Sequence, residues 1–262
     1  MTTSTFDTPV PTTLDLSGTP RIPLSRLVRV ELRKLVDTRA SRWLLIAIAA
    51  ITALIVVLVF INADRSDRTF VNFVQATGGP QGFLLPVLGI LLVTSEWGQR
   101  TALVTFTLMP VRGRVLVAKV VAAVLAGIAA VLVAMGLAAL ATLAGGATSG
   151  WAHIGIDDVG KLVLVQLLGI LQGLAFGLLL LNSAAAIVLY YVLPIAFTIV
   201  ASLWKWLAHA QPWVDLNVAQ TPLLDAAHMN ATAWGHLASA AAIWVVLPFV
   251  LGLVRVLRAE VK

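Results

Sequence analysis

The residues best equipped for polar recognition in this chain form one short run, Glu96–Trp97–Gly98–Gln99–Arg100–Thr101, followed by Pro110, Arg112, Arg114 and Lys119. The run interrupts an otherwise apolar sequence, between two hydrophobic segments that are each long enough to cross a bilayer. In such a chain, contacts with soluble machinery concentrate where the polar chemistry is concentrated. Groups that do chemistry by themselves are scarce. There is no Gly-x-x-x-x-Gly-Lys-Ser/Thr loop for ATP, no Gly-x-Ser-x-Gly and no His-Glu-x-x-His. The absence of cysteine removes disulfides, thiolate metal sites and thiol nucleophiles. Of the four histidines (His153, His209, His228, His236), His228 lies three residues from Asp225 and could share a helical face with it. That is weak metal-site spacing, and solvated or hydrogen-bonded histidines are the expected state. The chain is therefore not expected to be an enzyme, nor to hold a cofactor of its own.

Apolar residues make up 60% of the 262 and charged residues only 11%, which puts the chain among polytopic membrane proteins. The apolar runs are continuous rather than alternating, so the spans are helices and not barrel strands. Six are expected: Trp43–Ile61, Phe70–Ser95, Val115–Leu143, Lys161–Leu181, Ser183–Trp204 and His236–Val254. The fourth and fifth form one stretch too long for a single crossing, and Asn182–Ser183 is its polar break. Pro86, Pro194 and Pro248 fall inside spans. Residues 1–20, rich in Thr, Ser and Pro, read as a disordered tail. The first apolar run starts only at Trp43 and is expected to be kept as a span rather than removed as a leader.

Charge orients the spans. Arg21, Arg26, Arg29, Arg33, Lys34, Arg39 and Arg42 precede the first. Arg100, Arg112, Arg114 and Lys119 follow the second, and Arg255, Arg258 and Lys262 follow the sixth. With six spans these all lie on one side, which the positive-inside rule makes cytoplasmic, so both termini are expected there. The net charge of +6 follows this pattern and does not signal nucleic acid. Trp151, Trp204, Trp206 and Trp213 gather at the opposite ends, as interfacial anchors or as a lip that touches substrate. The span interiors hold no acidic residue, which argues against proton- or sodium-coupled transport; uphill movement of a solute would need energy from another subunit.

Residues 24–42 have helical periodicity. Leu24, Leu27, Val28, Leu32, Leu35 and Val36 share one face, opposite Arg26, Arg29, Arg33 and Asp37, so this segment suits the headgroup plane before the first span. Glu31 falls inside the apolar arc and either pairs with Lys34 or meets another protein. In the fourth span, Gly169, Gly173 and Gly177 make a smooth face for close packing, within the chain or against another subunit. Gln166 and Gln172 in that span are packing hydrogen bonds or polar groups along a pathway. Between the second and third spans, Trp97–Thr107 is expected to form a short interfacial helix stopped by Pro110, with Arg112, Arg114 and Lys119 at the headgroups.

The pattern Ser95-Glu96-Trp97-Gly98-Gln99-Arg100-Thr101, then Pro110-x-Arg112-x-Arg114 and Lys119, resembles the cytoplasmic segment of ABC-2-type transporter permeases. Glu31-Leu32-Arg33-Lys34-Leu35 with Thr38-Arg39 and Trp43 is similar to the start of that family. So is Phe83-Leu84-Leu85-Pro86-Val87-Leu88-Gly89 leading into the glutamate. The resemblance covers residues 24–122 and rests on topology beyond them; Met109 stands where many relatives carry an acidic residue.

The resemblance implies an all-α integral membrane subunit with six transmembrane helices and both termini in the cytoplasm of a multi-pass cytoplasmic-membrane protein. Residues 1–20 would be a tail and 21–42 an amphipathic elbow helix bearing Arg29, Glu31, Arg33 and Lys34. Residues 43–256 would be the membrane domain, with a coupling segment at 96–114, and 257–262 the C-terminal end. Glu96, Trp97, Gln99, Arg100 and Thr101 would couple to a separate ABC ATP-binding subunit, which holds the ATP and Mg. A second permease subunit, identical or related, and membrane lipids would complete the assembly. The implied function is ATP-driven export of a hydrophobic or amphipathic substrate. The alternative is a non-transporting scaffold or sensor that binds a cytosolic ATPase; a membrane enzyme and a channel have less to support them.

Overall fold

In the computed structural model, residues 22–99, 101–108, 111–147, 150–151, 155–224 and 229–258 are described. The expected tail, Arg100, Met109, Pro110, His153, Asp225 and His228 lie outside these residues. The described chain is helical, with no strand. A short amphipathic helix, α1 (Leu24–Asp37), leads through Thr38 into α2 (Arg39–Asn62). A single turn at Arg65–Asp67 then returns the chain as α3 (Phe70–Gly98). After α4 (Ala102–Leu108) come α5 (Arg112–Gly145), α6 (Ile156–Leu180) and α7 (Ser183–Leu203). Two short helices, α8 (Lys205–Val214) and α9 (Leu216–Leu224), precede α10 (Ala231–Ala241). A wide π-turn at Ala242–Val246 joins α10 to α11 (Leu247–Arg258).

Among the described residues six helices are long and apolar enough to cross a membrane: α2, α3, α5, α6, α7 and the composite Ala231–Arg258. Each matches one expected span. The second runs three residues past its expected end, to Gly98, because nothing before Gly98–Gln99 interrupts the helix. Local chemistry sets the boundaries. Thr69, Asn182 and Asn230 each accept a hydrogen bond from the backbone N–H three residues on, capping α3, α7 and α10. The expected break at Asn182–Ser183 is present: Leu181 takes a left-handed conformation (φ 54°) that ends α6, and Asn182 caps α7. Pro248 has no N–H to offer the Trp244 carbonyl, and the helix is already widened there, with Leu247 N–H bonding to Ala242 O.

Helix α6 is the centre of the bundle, packed between α3, α5 and α11. Its glycine stripe faces inward. A Cβ on Gly173 would collide with the Pro86 carbonyl of α3, and one on Gly177 would sit 3.1 Å from Ile90 O. The contact is reciprocal, since a Cβ on Gly89 of α3 would strike Ile170 O of α6. The stripe thus packs within the chain. Gln166 donates to Gly78 O (3.2 Å), an interhelical bond, while its Oε1 is buried without a hydrogen-bond partner among the described residues.

Candidate functional site

Because the spans alternate, α1, the end of α3, α4, the start of α5, the α6–α7 turn and the end of α11 share one end of the bundle. Each arginine braced there satisfies a carbonyl. Arg112 Nη1 donates to Val256 O (2.8 Å), Arg255 to Leu179 O, and Arg114 Nη2 to Ile22 O (2.7 Å). Val256 and Leu179 lie in the last turns of α11 and α6, where carbonyls lack intrahelical donors. Thr94 Oγ1 and Ser183 Oγ, 2.7 Å apart, tie α3 to the start of α7.

Four charged side chains form a closed ring beneath α4. Lys34 Nζ lies 2.7 Å from Glu31 Oε1 and 2.5 Å from Glu96 Oε1. Lys119 Nζ lies 2.7 Å from Glu31 Oε2 and 3.1 Å from Glu96 Oε1, and also donates to Leu92 O at 2.9 Å. Glu31, Glu96 and Lys119 are buried, and only the Lys34 side chain keeps 33% of its surface. Burial disfavours the charged form of Lys34, but the Glu31 and Glu96 carboxylates outweigh it and raise its pKa above the ordinary lysine value. The ring carries two positive and two negative charges, so it is neutral as a unit. It fastens α1, α3 and α5 together, and removing one member would leave a partner charged and buried.

The expected site residues divide between two surroundings. Glu31 pairs with Lys34, as one reading of the sequence held, and also with Lys119. Lys119, two turns into α5, is buried: its ammonium points into the bundle, where two carboxylates and a carbonyl hold it. Trp97 belongs with Glu96 to the last turn of α3, not to a separate short helix; the Glu96 carboxylate is buried and Trp97 packs on the core. The short helix is α4, five residues later than expected. It is set off by Gln99, whose N–H bonds to Ser95 O, and by Thr101, whose N–H bonds to Glu96 O (2.9 Å). Gln99, Thr101, Leu103, Val104 and Thr107 are exposed. Arg29 and Arg33 are also exposed, Arg33 in a surface pair with Asp37 at 3.3 Å. The sequence reading did not join Glu96 and Lys119 to α1. The available signal was a glutamate on the apolar arc of α1 and a lysine inside a span.

A cavity of about 440 Å³ separates α4 from this ring. Leu27, Val30, Val104, Val115 and Ala118 form its apolar wall; Glu31, Lys34, Thr38, Ser95, Glu96, Gln99, Thr101 and Thr105 are the polar residues around it.

At the opposite end, α8, α9 and α10 form a cap. Asp215, 1% exposed, accepts from Asn217 N–H (2.9 Å) and from Thr198 Oγ1 of α7 (3.2 Å). Trp244 Nε1 donates to Val214 O at 2.5 Å and Ser239 Oγ to Trp213 O at 2.7 Å, while Trp213 meets His236 edge-on at 4.4 Å. His209 Nδ1 lies 2.7 Å from Lys205 O. Trp151, Trp204, Trp206 and Trp213 are exposed.

Fold and composition together define a multi-pass α-helical membrane protein. No protein-family model matches the chain, and no curated protein matches it in sequence.

Proposed function

We propose that the chain is the permease subunit of an ATP-driven ABC-2-type exporter, energised by a separate ATP-binding subunit that carries the ATP and Mg. The observation that carries this reading is α4, a short helix with exposed Gln99, Thr101, Leu103 and Val104 at the basic end, rooted next to Glu96 in a ring shared with α1. The ABC-2-like motif surrounds that root. In this reading the basic end is cytoplasmic, and α4 is the coupling helix seated in a groove of the ATPase. The role of Glu96 is to hold the root of that helix to the elbow helix. A push on α4 passes through the Lys34–Glu96 contact into α1 and through Lys119 into α5, two elements that the ring makes move together. The sparsely covered faces of α2 and α7 are available to a second permease subunit and to a hydrophobic or amphipathic substrate.

The test is co-purification in mild detergent with a co-expressed ABC ATP-binding subunit, comparing wild type with Val104→Arg. Val104 is exposed on α4 and outside the ring. Loss of the complex with an unchanged melting curve supports the docking surface, and stimulation of ATP hydrolysis by a transported amphiphile supports export. A complex that no compound stimulates favours the scaffold reading. If no ATPase binds wild type, the proposal fails.

A further inference from the structure

The ring leaves two unused valences, both at the cavity under α4. A lysine ammonium has three donors, and Lys34 spends two on Glu31 and Glu96. Both contacts to Glu96 end on Oε1, and among the described residues no donor reaches Oε2. One cationic donor and one anionic acceptor are therefore side by side in a ring whose net charge is zero. A lone phosphate placed there meets the Glu96 carboxylate, and a lone ammonium meets Lys34. A group bearing both charges a few ångströms apart complements both. Thr38 Oγ1, buried and without a partner, adds a hydroxyl at the same cavity. Leu27, Val30, Val104 and Val115 supply an apolar wall. The site lies at the end of the bundle where α3 ends and α5 begins, beside the amphipathic α1, and the ends of spanning helices are where lipid headgroups are met.

We propose that this cavity seats the headgroup of a zwitterionic aminophospholipid, with its phosphate on Lys34 Nζ, its ammonium on Glu96 Oε2 and its glycerol and first methylenes along the apolar wall. Neutrality of the ring sets the specificity. A phosphatidylglycerol head supplies the anion but no cation for Glu96. A phosphatidylcholine head supplies a cation without N–H donors. Only a primary ammonium forms the charge-assisted bond. The site requires a membrane-embedded chain and not a partner ATPase, so it stands or falls separately from the transport reading.

Native mass spectrometry of the full chain tests it, using micelles doped equally with phosphatidylethanolamine, phosphatidylcholine and phosphatidylglycerol of identical acyl chains. The wild type is expected to retain phosphatidylethanolamine about tenfold over phosphatidylcholine, the scale of one charge-assisted hydrogen bond. Glu96→Gln, which replaces the free oxygen with an amide, brings that ratio close to one. Ala118→Leu leaves every charge in place and grows into the cavity from α5, and it also abolishes the preference. If Glu96→Gln does not fold, Ala118→Leu decides alone. Equal retention of the two zwitterions, a lead for phosphatidylglycerol, or a preference that survives Ala118→Leu overturns the proposal.

Discussion

The two ends of the bundle are fastened by different physics. At the basic end, charges from α1, α3 and α5 meet in a closed ring, and arginines brace helix C-terminal carbonyls. At the opposite end, the cap of α8, α9 and α10 is held by neutral hydrogen bonds, aromatic faces and one carboxylate spent on a helix N-terminus and a threonine. The ion pair at that end, Lys161 with Asp158 in the first turns of α6 at 3.3 Å, is local in sequence and half open to solvent on the Asp158 side. Buried charges fail together when one is lost, whereas a cap of separate contacts loses them one at a time. The basic end is therefore built to behave as one unit and the cap as several.

The largest expected effect tests that unity. Lys119→Met leaves Glu31 and Glu96 under-compensated inside the bundle and should lower stability by about 3–5 kcal/mol, read by unfolding in detergent. Adding Glu31→Gln to it should recover part of the loss, a coupling that a double-mutant cycle measures. Simple additivity would break the contrast between the ends. At the cap, Asp215→Ala removes the acceptor for Asn217 N–H and should destabilise by about 1–2 kcal/mol. Trp244→Phe, which removes the donor to Val214 O, should destabilise by about 1 kcal/mol, and the two losses should add to the extent that the cap is divisible.

Titration separates the ends further. The raised pKa of Lys34 means that its stabilisation is fully present below the ordinary lysine value and is lost as pH rises through the higher folded value. Alkaline melting curves should show that fall in wild type and a smaller one in Lys34→Met. The smallest effect is expected for Asp158→Asn, under about 1 kcal/mol, because a half-exposed pair contributes little.

The spans were legible because hydropathy is a one-dimensional property, and the Asn182 break because a capping side chain acts on its own neighbours. Orientation of the glycine stripe was half legible: Gly169, Gly173 and Gly177 announced a close contact, but nothing in α6 identifies Pro86 and Gly89 of α3 as its other side. The ring was not legible as a ring, since its members lie at 31, 34, 96 and 119 and meet only after three helices have packed. Glu31 and Lys119 each broke the local pattern separately, and opposite charges on two apolar surfaces are each other's natural partners. The later start of α4 was missed for another reason. Glycine and glutamine at 98 and 99 end the helix, and the tryptophan that looked like a beginning is a last-turn residue.

The backbone contacts of α6 have a mechanical consequence. Gly173 and Gly89 bring α6 and α3 together without side chains between them, and Gly252 does the same for α11 on Leu178. Sliding α3 or α11 by one turn would bring Leu85 or Val93, or Pro248 or Val256, against the main chain of α6, so the three form a stiff keel. Relative movement within the bundle has to come from the outer helices. Of these α7 is the freest: it is thinly covered and hinged to α6 at the left-handed Leu181.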